Sequence, residues 1–158
     1  MRIVVVSDSH NNERIIEKAK EAILDSDVLL FLGDGEEDLE GIKEWYEGEV
    51  YAVSGNCDFT GKNPMERVIE LEGVKIFMCH GHKYNVKYGY TNISYRGEEI
   101  GADIVLFGHS HIPMIEREKN ILLINPGSLS HSIGRIRNSI AYIEIENGCV
   151  NDVYIKEI

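Results

Sequence analysis

Arg2-Ile3-Val4-Val5-Val6-Ser7-Asp8-Ser9-His10 opens the chain, and Ile3 to Val6 is an unbroken branched apolar run. No polar residue alternates with the apolar ones, so the run describes a strand covered on both faces. Asp8 and His10, which can bind a metal or move a proton, follow at once, with Ser7 and Ser9 beside them. The same pattern then repeats. Ile15, Ile16, Ala19, Ala22 and Ile23 recur at helical spacing through about Leu24, with Glu and Lys on the other face, and Asn11 or Asn12 stands where a cap is needed. Val28 to Leu32 is a second apolar strand, ending in Gly33-Asp34-Gly35. Leu39 to Tyr46 predicts a short helix, and Val50 to Val53 a third strand, ending in Ser54-Gly55-Asn56-Cys57-Asp58. This βαβαβ order predicts a parallel sheet with helices outside it. In such sheets ligands bind beyond the carboxyl ends of the strands, which is where Asp8, His10, Asp34 and Asn56 fall.

The second half changes character. Arg67 to Leu71 and Val74 to Met78 flank Glu72-Gly73 and predict a hairpin, whose second strand runs into Cys79-His80-Gly81-His82. A loop with Tyr84, Tyr88 and Tyr90 follows. These rings could stack a substrate base, though packing between loop and helix is the preferred expectation. Asn92 to Ile100 predicts a helix with Ile93 and Ile100 inward, ending at Gly101. Ile104 to Phe107 is a further buried strand, closed by Gly108-His109-Ser110-His111. Met114 to Arg117 and Ile121 to Ile124 predict another hairpin, followed by the turn Asn125-Pro126-Gly127-Ser128 and a polar loop with His131 and Arg135. Ile140 to Ile145 and Val150 to Ile155 alternate apolar and polar residues, as a terminal antiparallel hairpin should. Its edge could support self-association.

At 158 residues the chain suits one domain spanning 1–158. No apolar run approaches the ~18 residues of a membrane span, and the first residues are too strand-like for a signal peptide, so a cytoplasmic protein without membrane association is expected. Cys57, Cys79 and Cys149 are scattered without a CxxC, which suggests neither a disulfide framework nor a structural zinc site. The net charge of −11 argues against broad nucleic-acid binding. It leaves room for an anionic substrate, because bound divalent cations would create a positive site inside an acidic protein. No Walker-type or GxGxxG loop is present, so a nucleotide cofactor is not expected.

Taken singly, the polar residues at the strand ends have ordinary explanations. Asp8 and Asp34 could be caps, Asn56 a turn residue, and His80 a core histidine bonded to backbone. Taken together, Asp8, His10, Asp34, Asn56, His80, His109 and His111 form a mixed oxygen and nitrogen donor set. With His82, the strand-end motifs hold five of the six histidines. Such donors suit Mn²⁺, Fe, Zn²⁺, Co²⁺ or Ni²⁺ better than Mg²⁺ or Ca²⁺. Seven ligands exceed what one catalytic ion with an open position can use; they fit two ions sharing a carboxylate.

Asp8-x-His10, Gly33-Asp34, Gly55-Asn56, His80-Gly81-His82 and Gly108-His109-x-His111, in this order and spacing, resemble the calcineurin-like metallophosphoesterase superfamily. Within it the chain looks like the small single-domain bacterial and archaeal phosphodiesterases, relatives of the retromer-type scaffold subunit. The resemblance runs from Met1 to about Ser128. It implies an α/β fold, a four-layer αββα sandwich of two mixed sheets flanked by helices. It also implies two divalent metal ions per chain, manganese foremost with Ni, Zn, Fe or Co as alternatives. Asp8, His10 and His111 would hold the first; Asn56, His80 and His109 the second; Asp34 would bridge them. The implied activity is hydrolysis of a small-molecule phosphoester by a metal-activated hydroxide, with no protein nucleophile. Ser7, Ser9 and Ser110 are then hydrogen-bonding supports. Asn56 would stabilise charge on phosphate, and Lys83, Lys87 and Arg135 are candidate clamps by position. One departure stands out: many superfamily members carry His after the Asn, as acid or phosphate ligand, where this chain has Cys57. His82 is the substitute acid. A non-catalytic metal-binding scaffold for protein partners is the alternative.

Overall fold

The computed structural model describes residues 1–131 and 134–158. Strands β1 (Arg2–Val6), β2 (Val28–Phe31) and β3 (Glu49–Ala52) run parallel, linked by helices α1 (Glu13–Leu24) and α2 (Glu36–Lys43). The chain then builds a second sheet from β4 (Glu66–Leu71), β5 (Val74–Cys79), β6 (Ile104–Leu106), β7 (Met114–Glu118) and β8 (Ile121–Asn125), with α3 (Thr91–Ile100) between β5 and β6. Strands β9 (Ser139–Glu146) and β10 (Cys149–Glu157) return to the first sheet. The strand orders are β10-β9-β1-β2-β3 and β4-β5-β6-β8-β7. Both sheets are mixed: β5, β6 and β8 run parallel, while β4, β7, β9 and β10 pair antiparallel.

The two-faced apolar strands explain the layering. Ile3, Val5, Leu30, Ile76, Leu106 and Ile143 point into the core between the sheets. Their neighbours Val4, Val6, Leu29 and Phe31 point the other way, onto Ile16, Ala19 and Ile23 of α1 and Leu39 and Ile42 of α2. On the far side Phe77, Val105, Phe107 and Leu123 pack with Ile93 of α3. The order is therefore helices, sheet, sheet, helix. Each large side chain so buried contributes about 1.5–3 kcal/mol.

Several local expectations are corrected. Helix α2 begins at Glu36, three residues before Leu39, because the distant Asp58 carboxylate accepts the N–H groups of Gly35 and Glu36 and so starts it. Asn12 stands at the N-cap of α1 but makes no side-chain cap. Its own N–H donates instead to Asp38 Oδ2 at 3.0 Å. The terminal hairpin does not alternate in burial: Ala141, Ile143 and Ile145 of β9 face the core between the sheets while Ile140 and Tyr142 face the helices, so both its faces are covered, and β10 forms the edge. Tyr84 and Tyr90 pack on the α3-side core, whereas Tyr88 is 92% exposed. The β4–β5 turn is as expected, with positive φ at Glu72 and Gly73, the pattern of a type I′ hairpin. No helix among the described residues is long and apolar enough to cross a membrane.

Candidate metal centre

Six parallel-running strands, three from each sheet, end at one edge of the sandwich, and their exits carry every polar residue singled out above. Backbone bonds stitch these exits together. Asp8 donates its N–H to Gly33 O at 3.0 Å, His10 to Asp34 O at 2.8 Å, and Gly108 to His80 O at 3.0 Å. The 125–128 turn clasps the two sheets: Asn125 Nδ2 donates to Gly108 O at 2.9 Å, and Ser128 Oγ donates to Asp8 O at 2.9 Å. Asp8, His10, Asp34, His109 and His111 all take positive φ, between 52° and 63°. Left-handed backbone at a non-glycine residue costs on the order of 1–3 kcal/mol and persists only where surrounding contacts enforce it.

Two donor groups result. Asp8, His10 and His111 bring one ligand atom each to within 4.8 Å of one another, and Asp34, His80 and His109 do the same. The groups abut: His80 Nε2 lies 3.3 Å from Asp34 Oδ2 and 3.8 Å from Asp8 Oδ1. His111 Nε2 reaches Asp8 Oδ1 at 3.1 Å. A third group joins His10, Asp34 and Cys57. His80 Nδ1 is bonded to Leu32 O at 2.8 Å, so the core-histidine explanation holds for one ring nitrogen while the other faces the carboxylates.

Burial works against charge on Asp8 and Asp34, yet His111 and His80 hold both carboxyls below the usual range. Burial likewise opposes a charged His80, but the facing Asp34 carboxylate, then that of Asp8, holds its ring above the ordinary value. Burial and the neighbouring His80 hold His109 down to about 4. The ring nitrogens His10 Nε2 and His80 Nε2 are buried without hydrogen-bond partners. Unpartnered imidazole nitrogens facing anionic oxygens are the arrangement a divalent cation satisfies, and the donor set fits one.

His82 stands outside these two groups. Asn56 is exposed, and its amide donates to Cys57 Sγ at 3.3 Å. The His82 ring lies 5.6 Å from His80 and 6.0 Å from His109, with Nδ1 buried and unpartnered. Burial, then His80, lowers its proton affinity. Ser7 Oγ donates to Asp8 Oδ2 at 2.5 Å, and Ser110 Oγ accepts from Asn125 Nδ2 at 3.0 Å. Ser9 departs from the expected support role: its buried hydroxyl has no partner among the described residues. Burial, followed by the Asp34 charge, raises the Cys57 thiol, which stays protonated.

Two contributors were missed from sequence. The His131 ring packs 4.6 Å from His10 and 5.4 Å from His111, on a loop tied to the Asp8 carbonyl through Ser130 Oγ at 2.9 Å. Asp58 accepts the N–H groups of Asp34, Gly35, Glu36 and Gly55 at 2.8–3.1 Å. Its place two residues after Asn56 was the only available signal.

The fold and this cluster define a metallophosphoesterase: a model of the calcineurin-like phosphoesterase superfamily domain matches residues 1–148, and the chain belongs to that superfamily. It is 37% identical over 149 residues to the probable metallophosphoesterase YsnB of Bacillus subtilis, covering 93% of this chain and 86% of that protein. It is 26% identical to the phosphodiesterase YfcE of Escherichia coli K12, covering 99% and 94%. A crystal structure of a predicted phosphoesterase from Streptococcus pneumoniae superposes with a TM-score of 0.80 at 31% identity, covering 98% of this chain and 87% of that one. The fold is also that of Vps29 from Entamoeba histolytica in its Zn²⁺ complex, with a TM-score of 0.79 at 19% identity and coverage of 100% and 98%.

Proposed function

We propose that this chain is a phosphodiesterase working with two divalent cations. Asp8, His10 and His111 would hold one; Asn56, His80 and His109 the other, with Asp34 between them. Mn²⁺ is the ion the family resemblance puts first, and the mixed carboxylate and imidazole donors also suit Fe, Co²⁺, Ni²⁺ or Zn²⁺. The observation that carries this reading is the abutment of the two donor groups at His80, 3.3 Å from Asp34 and 3.8 Å from Asp8. When bound, such a pair of cations supplies electrophilic charge to the phosphoryl oxygens and acidifies a water.

The protein residues orient and support. Asp8 is locked by Ser7 and by the His109 N–H at 3.1 Å, so its Oδ1 is left for the site. Asp34 is fixed by the Cys57 N–H on Oδ1 at 2.7 Å, leaving Oδ2 toward His80. Asn56, at the exposed rim, would contact a phosphoryl oxygen, and His82 is the residue we assign to proton transfer at the departing alcohol. The buried serines lie behind the ligands, in keeping with a reaction that needs no protein nucleophile.

Hydrolysis of bis-nitrophenyl phosphate with added Mn²⁺ tests this. Chelation, Asp34→Asn or His109→Ala should each abolish it. Turnover that survives chelator and Asp34→Asn would remove the two-cation mechanism. A metal-holding protein scaffold is the second reading; Cys57, where many members carry His, favours it. An intact donor set with no turnover on any diester would select that reading.

A further inference from the structure

A groove of about 680 Å³ begins beside Cys57 and Asn11, at the rim of the metal centre, and runs between α1, α2 and the 57–62 loop. A second hollow of about 360 Å³ shares Glu13, Glu37 and Glu44 with it and adds Lys20 and Trp45, the sole tryptophan, whose ring Lys20 Nζ overlies at 5.1 Å. The groove wall is anionic. Glu13, Glu36, Glu37, Glu40 and Glu44 line it against one basic residue, Lys62. Lys62 is paired with Glu40 at 3.5 Å, and Lys43 meets the same carboxylate at 2.9 Å. Among the described residues, Glu13, Glu36, Glu37 and Glu44 have no basic side chain within 4 Å.

Two observations lift this above a solvated acidic face. Glu36 is only 7% exposed, and while Oε2 accepts the Thr60 N–H at 3.3 Å, Oε1 has no partner. A buried carboxylate oxygen left unpaired is costly; Oε1 is closed to solvent, so a cation held in the groove beside Glu36 lowers that cost through space and not by direct contact. Phe59, on the same wall, is 88% exposed, offering a bare aromatic face to the same space. Carboxylates beside an exposed ring are the elements that recognise an organic ammonium group.

Resting on the phosphodiesterase reading above, we infer that this groove receives the cationic arm of the substrate: a phosphodiester one of whose alcohols carries an ammonium group. Such a zwitterion meets the two fields of the molecule at once, with its phosphate at the cation-binding cluster and its ammonium among the glutamates. A second phosphate, a nucleotide or a nucleic-acid strand laid along this groove would instead face uncompensated carboxylates.

Two esters with the same leaving group test it: 4-nitrophenyl phosphorylcholine and 4-nitrophenyl 3,3-dimethylbutyl phosphate, its isostere with a neutral arm. With the Mn²⁺-loaded protein, kcat/KM for the choline ester should exceed that of the isostere at least tenfold, and the ratio should shrink as salt rises. Glu36→Gln should bring the ratio towards one, and the exposed pair Glu37→Gln with Glu44→Gln should lower it in a protein whose core is untouched. A ratio near one in the parent protein overturns the inference. Independently of turnover, choline should change Trp45 fluorescence and 3,3-dimethylbutanol should not. If neither ester nor bis-nitrophenyl phosphate is hydrolysed, the phosphodiesterase reading fails, and the fluorescence titration alone then judges the groove: equal responses to the two alcohols overturn it.

Discussion

The carboxylate of Asp58 receives the backbone N–H of Asp34 at 2.8 Å, and so joins the loop after β3 to the candidate bridging residue after β2. Its two oxygens also take the N–H groups of Gly35, Glu36 and Gly55, which places a negative charge on the first turn of α2 as well. Replacing Asp58 with Asn turns one oxygen into an amino group that cannot accept two of these bonds. Asp58→Asn should weaken Mn²⁺ affinity by about 10–100-fold, the usual scale for losing a residue that orients ligands. Isothermal titration calorimetry would measure this beside a thermal melt. Parent-like affinity in a destabilised protein would show that Asp58 caps the helix and nothing more.

Gly108 sits where a side chain has no room. A Cβ there would lie 1.9 Å from Ser7 Oγ and 2.7 Å from Asp8 Oδ2, two buried atoms already bonded to each other. Gly108→Ala should therefore destabilise the protein by about 1–3 kcal/mol and displace Asp8. Gly41, in α2, has no atom within 4 Å of its virtual Cβ, and Gly41→Ala should instead stabilise by roughly 0.5–1 kcal/mol. Urea unfolding midpoints of the two variants should move in opposite directions.

The acid titration of the chelated protein has a defined signature. His109 takes its proton at about 4 in the fold, where burial and then His80 disfavour the charged ring, against 6.5 for an ordinary histidine. The unfolded chain thus binds this proton first. Stability from His109 is fully present above pH 6.5, falls between 6.5 and about 4, and changes no further below that. Two-dimensional NMR of the imidazole protons should place the midpoint near 4; an ordinary midpoint would contradict the packing described.

Cys57 stands where many members of the superfamily place histidine, and burial, then Asp34, keeps its thiol protonated. A group that gives up its proton so reluctantly is a poor acid for a departing alkoxide. The parent protein should therefore favour nitrophenyl esters over alkyl esters. Cys57→His should raise turnover of alkyl esters by tenfold or more, within the range general acids supply. The slope of log kcat/KM against leaving-group pKa would report it, and an unchanged slope would exclude the role.

Periodicity in the chain determined a great deal. Ile3–Val6, Val28–Leu32 and Ile104–Phe107 announce strands buried on both faces, and the polar residues that end them were identifiable because functional groups interrupt apolar runs. Short-range chemistry sufficed for the Glu72-Gly73 turn and for α3. The placement of partners was a different matter. That β9 enters the middle of the first sheet, that Asp58 starts α2 from outside it, and that His131 packs on His10 are contacts between residues far apart in the chain. No local pattern encodes such pairings, because sheet order and loop convergence follow from burying all the apolar faces at once. Tertiary structure alone decided which carboxylate faces which imidazole, and it alone formed the acidic groove, whose glutamates are spread in sequence over α1, α2 and the residue after it.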